Sequence, residues 1–369
     1  MHYYIISGEL SGDLYGSKLI HSLRQLDSNS KFSCWGGSNM HNAGGDVIVN
    51  LDSLSYMGVW EVLKNSKTIL KNLFFAKKHI SQIKPDALIL IDYPGFNLQI
   101  AKYAKKRGIP VFWFIAPQVW AWNARRVRKM KKYIDKLFVA LPFELNFFQS
   151  KDINTYYYGH PLIDLLHNQH HAKLHHNLGK PIIALFPGSR LQEINKMLPP
   201  MLKATSFFHD YRFVVMCVES INRSIYEDLV ADYNIELKFN KDILPSVVAA
   251  LVTSGTASLE LAIQKIPQVV CYKLHYLSYL IAKIFVRVRF ISLVNILANK
   301  LLVTELIQHD FSVKNIVHSL QNVLDKESQK TILQGYDEII NQLSGEGCFN
   351  KIAENIYLDL RGINKQQNK

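Results

Sequence analysis

Along the first half of the chain, short unbroken apolar runs alternate with longer stretches whose apolar positions recur at helical spacing. "YYIIS" (3–7) leads into "GSKLIHSLRQL", and "DALILI" (86–91) follows a stretch ending near "QIKP". "IPVFWFI" (109–115) follows "AKYAKKRG", and "KLFVAL" (136–141) follows "RRVRKMKKYI". Apolar runs this short and unbroken are strands buried on both faces. Helices between them predict a parallel sheet covered on both sides. The pattern restarts with "PIIALF" (181–186), "RFVVMC" (212–217), "AALVTS" (249–254) and "PQVVCY" (267–272). The expected fold class is α/β, with two doubly wound, Rossmann-like domains at 1–165 and 180–345. A His-rich linker, 166–179, separates them, and "NKIAENIYLDLRG" (350–362) predicts a last helix. Ligands of such sheets bind beyond the carboxyl ends of the strands, and two facing halves would enclose a cleft.

One stretch carries more apolar surface than a core-facing helix needs. In "MGVWEVLKNSKTILKNLFFAKK" (57–78), Val59, Val62, Leu63, Ile69, Leu70, Leu73 and Phe74 recur at helical spacing. Trp60 and Phe75 widen that stripe, and Lys64, Lys67, Lys71, Lys77 and Lys78 interrupt it. A basic amphipathic helix of this kind lies in an anionic membrane interface, or packs on a core with its lysines in water. Trp60, Leu63, Ile69, Leu70, Leu73 and Phe74 are the residues expected to meet a membrane. "YLSYLIAKIFVRVRFISLVNIL" (276–297) is a second apolar and basic stretch, suited to a membrane or to another subunit.

Composition narrows the classes. The chain has 369 residues, 48 % hydrophobic and 20 % charged, which excludes a disordered protein. Its net charge of +13 favours an anionic partner: a phosphorylated substrate, an anionic membrane surface or nucleic acid. Nucleic acid is the weakest of these. "APQVWAWNARRVRKMKK" (116–132) sets Trp120 and Trp122 beside a basic helix, but no nucleic-acid-binding signature accompanies them. Cys34, Cys217, Cys271 and Cys348 are far apart and read as reduced thiols of a cytosolic protein. The linker histidines 167, 170, 171, 175 and 176 lack cysteine or carboxylate companions, and read as solvated side chains, not a metal site. The start of the chain has no signal-peptide pattern, and no run is long enough to span a membrane.

The candidate chemistry sits in strand-to-helix loops. "LIDYPGFNL" (90–98) puts one acid, Asp92, at the end of a buried strand just before Pro94–Gly95, as a helix cap or as a base aimed into a cleft. "SGELSGDLYG" (7–16) offers Glu9, Ser11 and Asp13, with Ser11 or Asp13 also able to cap the helix. Its glycines are spaced by four, which is not the dinucleotide fingerprint. "LFPGSRLQEI" (185–194) places Ser189 and Arg190 where a guanidinium grips a diphosphate. "VTSGTASLELA" (252–262) offers Ser254, Gly255 and Thr256 at a helix start, with Glu260 one turn on, suited to a ribose diol. Two such loops in one half point to a nucleoside-diphosphate pocket.

These motifs, with "MGVWEVL", "YGHPLID" and "SLVNILANKLLVTELIQ", stand in the order found in lipid-A-disaccharide synthases, which the chain resembles over about residues 3–360. The resemblance implies an inverting, metal-independent glycosyltransferase of the GT-B fold, without a cofactor, peripheral on the cytoplasmic face of a Gram-negative inner membrane. Its donor would be UDP-2,3-diacylglucosamine and its acceptor 2,3-diacylglucosamine 1-phosphate (lipid X). The products would be the β(1→6)-linked disaccharide 1-phosphate and UDP. The resemblance places the essential aspartate on Asp92, with Glu9, Ser11 and Asp13 on the acceptor side. It puts the diphosphate arginine on Arg190, the ribose contact on Glu260, and a functional asparagine on Asn295. In that family C-terminal segments are swapped between two subunits. Asn295 would then act in a partner's site, and residues 346–369 would pack back or onto that partner. This chain departs from the family pattern at Val294, usually proline, and at Gly95, where some members carry a second acid. Only Glu9 or Asp13 is then left to share the work of Asp92. The alternatives are a GT-B transferase or epimerase of a soluble UDP-N-acetylglucosamine-type substrate, and a non-catalytic basic module that binds nucleic acid or membrane.

Overall fold

In a computed structural model, the residues described are 1–51, 66–122, 125–167, 179–274, 289–345 and 347–367. Val59, Trp60, Val62, Leu63 and Lys64, most of the His-rich linker, and most of the 276–297 stretch lie outside them. The chain divides into two compact units, Met1–Leu165 with Leu343–Lys369, and Leu166–Gln342.

The first unit holds a seven-stranded sheet: β1 (His2–Ile6), β2 (Lys31–Gly36), β3 (Asp46–Asn50), β4 (Ala87–Ile91), β5 (Val111–Phe114), β6 (Lys136–Val139) and β7 (Thr155–Tyr157). Its order is β3-β2-β1-β4-β5-β6-β7, with every neighbouring pair parallel. Strand β4, "ALILI", is buried at every residue, which is why it reads as an unbroken apolar run. Tyr4, Ile6, Leu88, Leu90 and Trp113 face one core, which the helices Ser66–Ile83, Pro94–Lys105 and Arg125–Tyr133 cover. Tyr3, Ile5, Ala87 and Ile89 face the other, under the helices Leu10–Leu26 and Cys348–Gln367.

The last helix therefore packs back onto its own chain. Asn350 accepts from Ser22 Oγ at 2.7 Å, and Asp359 pairs with Lys136 at 2.9 Å. Asn355 joins Tyr158 at 2.8 Å. The Asp164 carboxylate accepts from the N–H groups of Gly347 and Phe349, tying the returning segment down where the helix begins.

The second unit repeats the design with six parallel strands, in the order β10-β9-β8-β11-β12-β13. They are β8 (Ile182–Phe186), β9 (Arg212–Met216), β10 (Glu236–Lys238), β11 (Val247–Thr253), β12 (Gln268–Tyr272) and β13 (Glu305–Ile307). In both sheets the strand order reverses beside the first strand, so the topological switch points are β1/β4 and β8/β11. A crevice at the carboxyl ends there is where ligands of this architecture bind. All four cysteines are buried thiols. Among the described residues no helix is long and apolar enough to cross a membrane, and no cluster of three His, Cys, Asp or Glu is arranged to hold a metal.

Candidate functional site

The switch point of the first sheet joins two predicted loops. Strand β1 ends into Ser7–Gly8–Glu9, and the neighbouring β4 ends into Asp92–Tyr93. Glu9 is the extended residue that opens the helix Leu10–Leu26. The two loops are in contact: a Cβ on Gly8 would stand 2.5 Å from Tyr93 Cγ. The Tyr93 ring is stacked on Phe96 at 5.0 Å between centroids.

The backbone here is strained. Asp92 (φ 48°) and Tyr93 (φ 51°) are consecutive left-handed residues, neither of them glycine. Ile115, at the end of the adjacent β5, has φ 63°. Left-handed geometry is uncommon for a bulky tyrosine and more so for a β-branched isoleucine. Such outliers persist only where the surroundings over-determine them, and they concentrate at functional sites. The surroundings are on hand. Asp92 N–H donates to Phe114 O at 3.2 Å, and Ile115 N–H to Phe138 O at 3.0 Å. The buried Asn97 amide donates to Asp92 O at 2.7 Å. The cap position of the helix belongs to Tyr93, one residue after Asp92, and Pro94 follows in the first turn. The half-buried Asp92 sits at the mouth of the sheet.

Asp13 is turned toward the neighbouring helix Ser38–Asn42. It is 1 % exposed. Its carboxylate accepts from the N–H groups of Gly37 (2.6 Å), Asn39 (3.0 Å) and Met40 (3.1 Å), and from Asn39 Nδ2 (2.9 Å). Those four donors fill the acceptor sites of a carboxylate. Asp13 caps the neighbouring helix Ser38–Asn42 and not its own, and has no lone pair left for an acceptor sugar. Ser11 stays half-buried in the first turn of its helix.

A residue that sequence reading passed over lies near enough to Asp92 to feel its charge. Glu144, third residue of the helix Pro142–Gln149 that follows β6, is 2 % exposed. Its Oε2 accepts from Leu141 N–H at 3.1 Å, the ordinary reach of a third-position glutamate back to the helix start. Its Oε1 accepts from the Trp120 indole at 2.9 Å. Burial pushes this carboxyl up to about 7, the Trp120 and backbone donors pull the other way, and the Asp92 charge adds to the rise. The signal in the sequence was Pro–Phe–Glu after an apolar strand, which marks a helix start; the burial was not visible there.

The switch point of the second sheet joins the other two loops. Strand β8 ends into Pro187–Gly188–Ser189–Arg190, and its neighbour β11 into Ser254–Gly255–Thr256, where the helix Thr256–Ile263 begins. Gly188 has φ 113°, and a Cβ there would meet Glu193 Oε2 at 2.5 Å. Glu193 itself accepts from Ser189 N–H (3.0 Å) and Arg190 N–H (3.3 Å), and lies 3.7 Å from the Arg190 guanidinium. The loop's N–H groups are thus held by its own glutamate while the half-exposed guanidinium stays at the surface. Tyr272, at the end of β12, lies close enough to feel both charges, and burial raises its hydroxyl pKa. Around Gly255 a Cβ would meet nothing within 4 Å, so the helix start is open. Glu260 is gripped by Lys241 at 2.5 and 2.6 Å. Lys241 is a partner the sequence did not suggest.

Asn295 turns inward. It is wholly buried and uses its full amide: Nδ2 donates to Val303 O and Glu305 Oε1, both at 2.8 Å, and Oδ1 accepts from Leu302 and Val303 N–H, both at 2.9 Å. In this chain the Asn295 amide ties the helix Leu293–Ala298 to the segment that leads into β13. Glu305 also accepts from Ile291 N–H (3.0 Å), Ser292 N–H (2.9 Å) and Ser292 Oγ (2.8 Å). The Ile291 carbonyl in turn accepts from Ser254 Oγ at 3.1 Å, so the network ends on the Ser254 turn.

On the helix Ser66–Ile83 the apolar stripe splits. Leu73 packs against the core beside buried Ala76 and Ile80, and Ile69 is half-buried. Leu70 and Phe74 stand out at 65 % and 72 % exposure, between exposed Lys67, Lys71 and Lys78. Of the expected membrane-facing residues described, Leu73 is therefore a core residue, and Leu70 and Phe74 carry the outer face.

Comparison with known proteins supplies the rest. The profile of the family described as lipid-A-disaccharide synthetase matches residues 3–355. A protein of Coxiella burnetii (strain CbuK_Q154) named lipid-A-disaccharide synthase is 35 % identical over 341 residues, 90 % of this chain and 91 % of that one. Lipid-A-disaccharide synthase 1 of Legionella pneumophila (strain Lens) is 33 % identical over 354 residues, 92 % of this chain and 91 % of the other. Among solved structures, the UDP-GlcNAc 2-epimerase of Neisseria meningitidis bound to UDP-GlcNAc aligns with a TM-score of 0.63 at 14 % identity, covering 97 % of this chain and 100 % of that one. A likeness that remote speaks for the fold alone.

Proposed function

The chain belongs to the lipid-A-disaccharide synthase family, and we propose that it transfers the diacylglucosamine of UDP-2,3-diacylglucosamine to 2,3-diacylglucosamine 1-phosphate. The products are the β(1→6)-linked disaccharide 1-phosphate, on the way to lipid A, and UDP. Alongside family membership, the observation that carries this reading is the placement of the four motif loops. They fall pairwise at the two switch points, an acid-bearing pair on the first sheet and an arginine and helix-start pair on the second.

Asp92 takes the proton of the acceptor 6-hydroxyl while that oxygen attacks the anomeric carbon. The new C–O bond forms as the bond to the UDP oxygen breaks, and the configuration inverts. Negative charge grows on the departing diphosphate. The Arg190 guanidinium and the N–H groups of the Ser254–Thr256 helix start meet it, in place of a metal ion. Glu260, held in place by Lys241, faces the ribose hydroxyls. Glu9 borders the same mouth as Asp92.

Both substrates carry acyl chains and phosphate, so they are met at a membrane. The exposed Leu70 and Phe74 among Lys67, Lys71 and Lys78 suit an anionic bilayer surface, and the protein works peripherally on the cytoplasmic face. Mass spectrometry of the products from UDP-2,3-diacylglucosamine plus 2,3-diacylglucosamine 1-phosphate tests the reading. A tetraacyl disaccharide 1-phosphate is expected. Turnover of non-acylated UDP-N-acetylglucosamine in its place would move the chain to the soluble-sugar branch of this fold.

A further inference from the structure

The sequence left one acid in the Asp92 turn and offered only Glu9 or Asp13 as a second. Asp13 is committed to the helix Ser38–Asn42. Glu144 supplies a second buried acid from another direction. Strands β4, β5 and β6 are adjacent and parallel, so the segments leaving their carboxyl ends lie side by side. Asp92 leaves β4, the Pro117–Trp122 segment leaves β5, and Glu144 stands just after β6.

Glu144 is not itself a base for the acceptor. Both oxygens already accept hydrogen bonds, and only 2 % of the residue meets solvent. Capping its own helix needs one of those oxygens. The other reaches across to the indole of a different segment, which local capping does not require. That segment starts from the left-handed Ile115 and turns through Pro117. Trp120 is further held edge-on against Phe143, the residue before Glu144, at 4.9 Å between centroids. A buried carboxylate is an expensive way to hold a loop, and the nearby Asp92 charge makes it more so. Such a group is explained by what it positions.

We propose that Glu144 is a positioning residue of the transfer site: by gripping the Trp120 indole it fixes the Pro117–Trp122 segment beside Asp92, so that the attacking hydroxyl is held within reach of the carboxylate. This rests on the reading of Asp92 as the base. Glu144→Gln can keep the grip by accepting from the indole and turning its N–H toward Leu141, so the test uses Glu144→Leu, which removes both acceptors. A shift of about 1 Å in a reacting group costs on the order of 100-fold in rate. The expected result is a kcat lower by roughly 10- to 100-fold, with KM for the UDP-sugar within about twofold. Trp120→Phe should do the same. The double variant should be no worse than the poorer single one, because both remove the same contact.

The structural half is read without turnover. The Trp120 indole N–H resonance, assigned by its loss in Trp120→Phe, should exchange slowly with solvent in the wild type and quickly in Glu144→Leu. Equal protection in Glu144→Leu would overturn the grip. A kcat within about twofold of wild type per folded molecule, or effects of the two substitutions that multiply, would overturn the positioning role. A wild type that does not join the acylated substrates would instead sink the functional reading, and the indole exchange would still decide the grip.

Discussion

The carboxyl ends of the two sheets carry the same kind of loop and treat it in opposite ways. On the first sheet the glycines that follow β1 are packed shut, although Gly95 after β4 meets nothing within 4 Å. Gly8 lies under Tyr93, Gly12 against Ser7 and Gly16 against Met40. Three non-glycine residues are held in left-handed geometry, and a carboxylate is buried at Glu144. On the second sheet Gly255 borders open space, and the charged groups stand partly in solvent on partners within their own unit: Arg190 with Glu193, Glu260 with Lys241. A base must be held still to within a fraction of an ångström, and packing does that. A diphosphate must enter and leave, and solvent-exposed ion pairs, worth little individually, exchange readily for an anion. On the proposed function, the first mouth suits positioning and the second suits binding and release.

The sharpest way to break that comparison is at Asp92. Asn at this position keeps the shape and removes the proposed base, so kcat should fall by about 10³-fold, within the range of general-base removal. Circular dichroism should be unchanged. Turnover within tenfold of wild type would take the base elsewhere.

The next effect is on stability. The ordinary glutamate value is 4.5, and Glu144 titrates at about 7 in the folded chain. Between those values the folded chain keeps a proton that the unfolded chain has released. The contribution is complete below 4.5 and is lost as pH rises through 7, at about 1.4 kcal/mol per pH unit. Urea unfolding between pH 5 and 8 should show this loss in the wild type, and Glu144→Gln should flatten it. Parallel curves would place Glu144 in a wetter setting than the packing indicates.

The smallest effects come as a pair. Gly8→Ala puts a methyl 2.5 Å from a Tyr93 ring already stacked on Phe96, and should cost about 2 kcal/mol. Gly255→Ala meets no atom within 4 Å and has an extended φ of 162°, so its cost should be under about 0.5 kcal/mol. Thermal melts of the two variants check both. Equal costs would erase the distinction between a packed and an open mouth.

How much of this was legible follows from where each residue gets its neighbours. The central strands β1, β4, β5, β8, β11 and β12 are buried on both faces, so their apolar runs announce them. Strands β3, β7, β10 and β13 lie near or at sheet edges and are short, and "DVIVN", "TYY", "ELK" and "ELI" carry too little pattern to stand out. The loops were legible because Gly, Ser and Pro after an apolar run mark a strand-to-helix turn. The strand order that pairs those loops at the switch points is a matter of topology and was not. Nor were the contacts that redirect Asp13, Asn295 and Glu144, because each depends on N–H groups from segments 7 to 27 positions away. An acid on a helix looks the same in sequence whether it faces a ligand or a neighbouring helix start.

The central claim is a division of labour: the first sheet positions the base and the second holds the nucleotide. Calorimetric titration of UDP into Asp92→Asn and Arg190→Ala tests it most directly. Wild-type affinity is expected in Asp92→Asn, and a loss of at least about tenfold in Arg190→Ala, the cost of one charged contact to phosphate. Weakened UDP binding in Asp92→Asn, or unchanged binding in Arg190→Ala, would contradict it.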